Sequence, residues 1–324
     1  MDPSSSSWQA ILQTITKLPG ERQRLSTVLG VTPITISRWA GGESTPQQQQ
    51  LVRLAKAVPT QYRESLLTAL EATYPDIQSS LRDAPVEHIP SSFFAELLSI
   101  RTTTTEALRF WRISELVLSQ ALALLDPNGL GMSISVVQCM PPVQGKIRSL
   151  RETIGKGTLP WAADLETLAL FLGMESLAGY VVETRHVASV EDLSTDKLVP
   201  AYQTDFEVSA AAHPIWLGGL IAGCLLASST QIGYFSQQRL ALLATFSNLI
   251  SLAFPRDDFY LPTMVELRVL PAPHKQRPIL STFRQRVAKV LIESHQQEHH
   301  LRNAEAERIV WQEIEEQLLS ILDD

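Results

Sequence analysis

The sequence predicts a multidomain protein of α and α+β class: an all-α N-terminal domain, a central antiparallel sheet with flanking helices, and a long C-terminal helix. Three observations carry that expectation. Residues 21–58 are punctuated by helix start and stop residues: Gly30, Thr32-Pro33, Gly41-Gly42 and Pro46. Two apolar runs flank Gly218-Gly219, which is hairpin composition. From Leu280 to Leu322 charged and apolar residues alternate with neither Gly nor Pro, so nothing in the composition interrupts a helix. A length of 324 residues fits two or three domains.

The first element is expected from Trp8 to Lys17, where Trp8, Ile11, Leu12 and Ile15 share a helical face. Leu25 and Leu29 lie four apart on the next helix, and Gly30 can take the left-handed conformation that ends it. Thr32 is a suitable N-cap and Pro33 suits the first helical position, where a missing N–H costs nothing. In the helix that follows, Ile36 and Trp39 would pack on Leu25 and Leu29. Pro33, Ile34, Ser37 and Arg38 are left facing outward. Gly41 and Gly42 stop this helix, and Pro46 opens another with Leu51, Leu54, Ala55 and Val58 at helical spacing. A last helix from Tyr62 to about Thr73 closes a domain over residues 1–75.

Residues 22–46 resemble the Cro/CI-type (XRE) helix-turn-helix family. The resemblance rests on Leu25, Leu29, Gly30, Val31, Thr35, Ile36, Ser37, Arg38, Trp39, Gly42 and Pro46. The sequence departs from the family pattern at Arg22 (usually Gln), Ser26 (Ala), Thr32 (Ser) and Ala40 (Glu). The family's docking geometry implies that the second helix enters the major groove of double-stranded DNA. Arg38 would then pair with a guanine and Ile34 would touch a thymine methyl. Arg22 and Thr32 would position the phosphate backbone. Pro33, Thr35 and Ser37 complete the expected DNA-facing set.

The formal net charge of −7 is unusual for a DNA binder, but it is unevenly distributed. Residues 1–75 hold seven Lys/Arg and five Asp/Glu, a balance of +2, so the remainder carries −9. A balance of only +2 predicts weak nonspecific affinity and therefore two copies of the domain acting together. Cys139 and Cys224 lie in apolar runs without metal or disulfide spacing, as expected of buried residues in a reducing cytoplasm. The opening MDPSSSS is polar, which predicts no signal peptide. The apolar run from Ile215 to Ala227 is shorter than the roughly 20 residues a membrane helix needs, so no membrane contact is expected.

Residues 76–91, with Pro85 and Pro90, are expected to form a linker. A long amphipathic helix follows from Ser92 to Leu125, interrupted at Thr102 to Thr105 and ended by Asp126-Pro127-Asn128-Gly129. Met132 to Met140 is strand-like, with Ile147 to Leu150 as its expected partner. Trp161 to Leu172 is expected to be helical, because Leu165, Leu168, Ala169 and Leu172 fall on one side. The Gly218-Gly219 hairpin comes next, then a helix from Ser236 to Phe254.

This succession resembles the GAF sensor domain over residues 92–254. The resemblance is carried by Ser176 to Val182 with Asp192 after a strand, His213-Pro214-Ile215, Gly218-Gly219, Gly223, and Phe235-Ser236 before the last helix. It implies an antiparallel sheet with helices on both sides and a small-molecule pocket, or a dimerisation role. By family position the pocket falls between Trp161 and Tyr202, with Tyr180, Glu183 and Arg185 as ligand-binding candidates. No cofactor is expected: neither cysteine has the neighbouring His that covalent bilin attachment requires, and of the cyclic-nucleotide signature only Lys197, Asp205, Phe206 and Glu207 are loosely present, without its Asn or its spacing.

Residues 255–324 are expected to be an irregular connector followed by a helix of about 40 residues from Leu280 to Leu322. Val287, Leu291, Leu301, Ile314, Leu318 and Ile321 form an intermittent apolar stripe suited to packing on the preceding domain or a second copy. His295 and His299 are four apart, yet a solvated polar face is expected there and no metal site. No catalytic constellation is expected, since both thiols lie in apolar strands. The sequence thus predicts a cytoplasmic, bacterial, homodimeric transcription regulator that senses a small molecule or pairs through its central domain. The alternative is a protein-interaction scaffold with the same domains and no promoter.

Overall fold

A computed structural model describes residues 7–74, 88–165, 170–195, 206–296 and 301–321. The chain divides into two compact units, residues 1–86 with 127–129 and residues 87–126 with 130–324.

Among the described residues the first unit holds five helices: α1 (Trp8–Thr16), α2 (Glu21–Leu29), α3 (Pro33–Ala40), α4 (Gln48–Ala57) and α5 (Thr60–Thr73). Each of the first three is bounded by local chemistry. The Ser7 hydroxyl accepts from the Ala10 N–H at α1, and the Thr32 hydroxyl accepts from the Thr35 N–H at α3, with Pro33 at the first helical position. Gly30 ends α2 at a φ of 65°, a backbone state glycine adopts at little cost. The core is Trp8, Leu12 and Ile15 of α1, Leu25 and Leu29 of α2, and Ile36 and Trp39 of α3, all buried, with Leu51, Leu54, Leu66 and Leu70 from α4 and α5. Most of the linker expected over residues 76–91 lies outside the described residues.

The second unit opens with α6 (Ser91–Thr103) and α7 (Glu106–Leu125), separated at Thr104-Thr105 where a break was expected. Its sheet has six antiparallel strands in the order β3-β2-β1-β6-β5-β4. The strands are β1 (Met132–Cys139), β2 (Leu150–Gly157), β3 (Phe171–Leu172), β4 (Ala188–Val190), β5 (Ser209–Leu217) and β6 (Leu220–Ser229). Between β3 and β4 lies α8 (Leu177–Thr184), and after β6 comes α9 (Gln237–Ile250). The antiparallel sheet with helices on both sides, expected from the sequence, is present. The hairpin turns at Gly218 and Gly219, whose φ values of 60° and 84° fit a two-residue turn.

Three expectations are corrected. Residues 161–165 form no helix, and Phe171–Leu172 is an edge strand paired with Leu150 and Arg151; Leu168 and Ala169 lie outside the described residues. Leu165 packs against Gly155 instead of lining a helix face. The strand beside β1 begins, rather than ends, at Leu150; Ile147 bridges to Val265. The expected 40-residue C-terminal helix is two helices, α11 (Phe283–Gln296) and α12 (Asn303–Ser320), preceded by α10 (Pro273–Leu280) in the segment expected to be irregular. Helices α11 and α12 pack on each other and, through Val287, Ala306, Val310, Ile314 and Leu318, on Met140, Phe171 and Leu270. A single straight helix would have left much of that apolar stripe in water.

Polar anchors fix this layer. Glu315, fully buried, accepts from the Ser149 hydroxyl at 2.6 Å and from Arg148 Nη2 at 3.0 Å. Trp311 stacks on Phe283 with ring centroids 3.9 Å apart, and the Arg151 guanidinium lies 4.2 Å from the Trp311 ring centre. Burial pushes the Arg151 guanidinium down to about 10, against the raising charge of Glu307.

Candidate functional site

Two places in the chain concentrate exposed or titratable groups beyond what packing uses. The first is the outer side of α3. Because Ile36, Trp39 and Ala40 fill the core side, the 3.6-residue period turns Ile34, Ser37 and Arg38 outward. Ile34 is 72% exposed, a large β-branched side chain with nothing to cover it. Arg22, Pro33, Ile34, Ser37, Arg38 and Glu43 line one shallow depression. Five of the seven sequence-selected residues are therefore brought together. Thr32 and Thr35 sit at its edge as a cap, their hydroxyls 2.9 Å apart. Arg24 is tied to its own unit: its guanidinium donates to Glu21 at 2.9 and 2.6 Å and to the Ala57 carbonyl at 2.6 Å. Its hydrogen bond lowers the Glu21 carboxyl below the usual range.

The depression contains one residue the sequence did not single out. Gly42 adopts a φ of 74°; the Glu43 N–H donates to the Arg38 carbonyl at 2.9 Å and the Gly42 N–H to the Trp39 carbonyl at 3.1 Å. These two bonds are those of a Schellman cap. The turn delivers the Glu43 carboxylate to 3.7 Å from Arg38 Nε.

The second place is the face of the sheet that carries α8. Leu177, Ala178, Val181 and Val182 of α8 pack on Val137, Cys139, Leu150, Ala212 and Cys224. The register sets Glu152 opposite Val137, Ser135 opposite Leu226, and Ser228 opposite Ala210, so these polar residues share that face. Glu152 accepts from the Ser135 hydroxyl at 3.1 Å, and Glu207 accepts from Ser228. Burial, reinforced by the Glu207 charge, pushes the Glu152 carboxyl up to about 7 against the lowering hydrogen bond from Ser135. Glu152 nonetheless keeps part of its surface accessible. Trp161 and Phe206 meet edge to face at 6.3 Å.

Tyr180, Glu183 and Arg185 are exposed. They lie on α8 or at its C-cap, away from the buried side that meets the sheet. The structure does not bring them to Glu152. Part of the expected pocket segment, including Tyr202, lies outside the described residues. Glu152 was missed by sequence reasoning; the available signal was Arg151-Glu152, two opposite charges in succession inside a strand pattern, which sends one charge to each face.

Both thiols are buried. Burial pushes Cys139 up to about 12 and raises Cys224 as well, so neither is held as a thiolate at neutral pH. Among the described residues there is no group of three or more His, Cys, Asp and Glu able to hold a metal ion. His299 lies outside them. No helix among the described residues is long and apolar enough to cross a membrane.

No family model matches the chain, and no curated protein matches it. Among solved structures it is similar to the GAF domain from Acinetobacter phosphoenolpyruvate-protein phosphotransferase. That match has 15% identity and a TM-score of 0.36 over 50% of this chain and 89% of that one. It is similar to a methyl-accepting chemotaxis protein, residues 122 to 287, at 16% identity and a TM-score of 0.37 over 52% and 99% of the two chains. A third is the type II free methionine-R-sulfoxide reductase from Thermoplasma acidophilum, at 15% identity and a TM-score of 0.33 over 46% and 98%.

Proposed function

We propose that the chain is a DNA-binding transcription regulator acting as a homodimer, in which the second unit senses a small molecule or mediates pairing. The observation that carries the first part is the outer side of α3. A two-helix unit capped by Thr32 and Gly30 presents Ile34, Ser37 and Arg38 to solvent beside Arg22, a combination of apolar and cationic groups suited to a thymine methyl and a guanine edge. One such helix reads few base pairs, so useful specificity calls for two copies.

The sensing part is supported by the polar floor formed by Ser135, Glu152, Glu207 and Ser228. Folding does not require a carboxylate at Glu152 on a sheet face that elsewhere packs Val, Leu and Cys, nor a second one, Glu207, just before β5. A ligand that binds one arrangement of the paired units better than another would shift the separation of the two α3 helices. Catalysis is not part of this reading.

The test is selection of bound fragments from host genomic DNA by the full-length protein, followed by gel shifts with Ile34→Ala and Arg38→Ala. Loss of affinity of about tenfold or more for each variant is expected from one lost base contact. Unchanged affinity sinks the assignment of α3. A second reading, a protein-interaction scaffold, is favoured by one observation: the Glu43 carboxylate lies beside Arg38, where it opposes a phosphate. An unenriched fragment pool would support the scaffold.

A further inference from the structure

Glu43 is not an incidental neighbour of Arg38. Its position is set by backbone bonds: the left-handed Gly42 and the bond from the Glu43 N–H to the Arg38 carbonyl leave the chain little choice about where residue 43 goes. The result is a cation and an anion side by side on one exposed surface, Arg38 Nε to Glu43 Oε2 at 3.7 Å, with both side chains more than half accessible. Ile34, Ser37 and Arg22 line the same depression.

We propose that Glu43 is a specificity-determining residue of the α3 surface, which reads a G·C base pair through the Arg38 and Glu43 side chains together. The inference rests on the DNA-binding reading above. In the major groove a G·C pair presents the O6 and N7 acceptors of guanine beside the N4 amino donor of cytosine. The Arg38 side chain approaches Glu43 through Nε, so in this reading its terminal nitrogens are the ones that would meet the guanine acceptors. The Glu43 carboxylate accepts from the cytosine amino group, a recognised pairing. A phosphate offers only negative oxygens, so the same carboxylate weakens backbone binding wherever the G·C pair is missing. The pair thus gains affinity at the right base pair and loses it at the wrong ones, and specificity is that difference. With a balance of only +2 over residues 1–75, nonspecific attraction is already small, and one carboxylate changes it appreciably.

The experiment uses the full-length protein and a randomised double-stranded DNA library, with wild type, Glu43→Gln and Glu43→Asp selected in parallel. The salt dependence of binding is then measured on the winning and on scrambled duplexes. Wild type is expected to enrich sites with a fixed G·C pair, preferred about tenfold over A·T at that position. Glu43→Gln is expected to lose most of that preference while binding scrambled DNA severalfold more tightly, and Glu43→Asp to restore part of the preference. Glu43 is exposed, and unchanged circular dichroism and thermal midpoints of the variants establish that folding is intact. If wild type enriches a site and Glu43→Gln keeps the same preference, the role of Glu43 is overturned and DNA binding stands. If wild type enriches no site, both fall together.

Discussion

Glu315 is a fully buried polar anchor between the C-terminal layer and the sheet, and removing it gives a quantitative test. The carboxylate is fully buried, accepts from Ser149 and Arg148, and belongs to a helix whose Ala306, Val310, Ile314 and Leu318 are buried too. Breaking a buried ion pair by deleting one partner costs about 3–5 kcal/mol, because the other charge is left uncompensated. Arg148 falls at the low end: its side chain is 19% exposed and it still donates to Glu316 at 2.7 Å. Glu315→Ala is therefore expected to destabilise the layer by about 3 kcal/mol, which is a loss of roughly 150-fold in amide protection if α12 opens as a unit. Hydrogen exchange read on peptides from residues 303–320 measures it locally, which suits a chain of two units better than a global midpoint. Glu316→Ala, removing a half-exposed partner, should cost less than about 1 kcal/mol. Arg148→Met with Glu315→Leu should recover most of the loss, since a matched apolar pair can replace a buried ion pair. If Glu315→Ala changes protection only a few fold, or if Glu316→Ala costs as much, then the layer is held by its apolar contacts and the argument fails.

Glu152 gives a pH prediction whose sign follows from its raised carboxyl, near 7 against an ordinary 4.5. The folded state binds this proton more tightly than the unfolded chain, so the stabilisation is full below about pH 4.5 and is lost as pH rises through 7; about 2–3 kcal/mol is at stake. Urea midpoints of wild type and Glu152→Gln between pH 5 and 8 should therefore diverge, the variant gaining relative stability as pH rises, whereas a pH-independent difference contradicts the assignment. Two glycines separate steric from conformational cost. A methyl at Gly223 would overlap the Val137 carbonyl oxygen on the neighbouring strand, whereas one at Gly30 meets nothing within 4 Å. Gly223→Ala should cost more than about 3 kcal/mol or abolish soluble expression, and Gly30→Ala only about 1–2 kcal/mol of left-handed backbone strain; comparable thermal midpoints for the two would refute the distinction.

What the sequence revealed well was local. Gly30, Thr32 and Pro33 act within one turn of themselves, so the α2–α3 corner could be read without knowing what it packs against, and Gly218-Gly219 specified the hairpin in the same way. The errors came where tertiary contacts overrode periodicity. Leu165, Leu168 and Leu172 have helical spacing, yet Leu165 is taken up by the space over Gly155 and Leu172 by an edge strand against Leu150. In the C-terminal region the apolar stripe lapses between Leu291 and Leu301. Helix α11 is described as far as Gln296 and α12 begins at Asn303, on either side of residues 297–300, which lie outside the described residues. Pro273 occupies the first position of α10, a start signal legible in the sequence.

The polar floor of the sheet was illegible for a different reason. LRETIGKG looks like a strand with two wet faces, and nothing in the eight residues says that helices cover both. Position between β1 and β3 turns that pattern into a pair of matched burials. Arg151 is matched by the Trp311 ring, and Glu152 by the Ser135 hydroxyl. The two charges differ in what they do for the fold. Arg151 joins the sheet to α12, so packing explains it. Glu152 joins nothing distant: Ser135 lies on the adjacent strand, and the same face a few residues away is filled by Val137, Leu150 and Cys224 under α8. Apolar residues would have served stability there at lower desolvation cost. Packing therefore accounts for Arg151, while Glu152 is held by a neighbour on its own sheet and, among the described residues, by no contact with another layer.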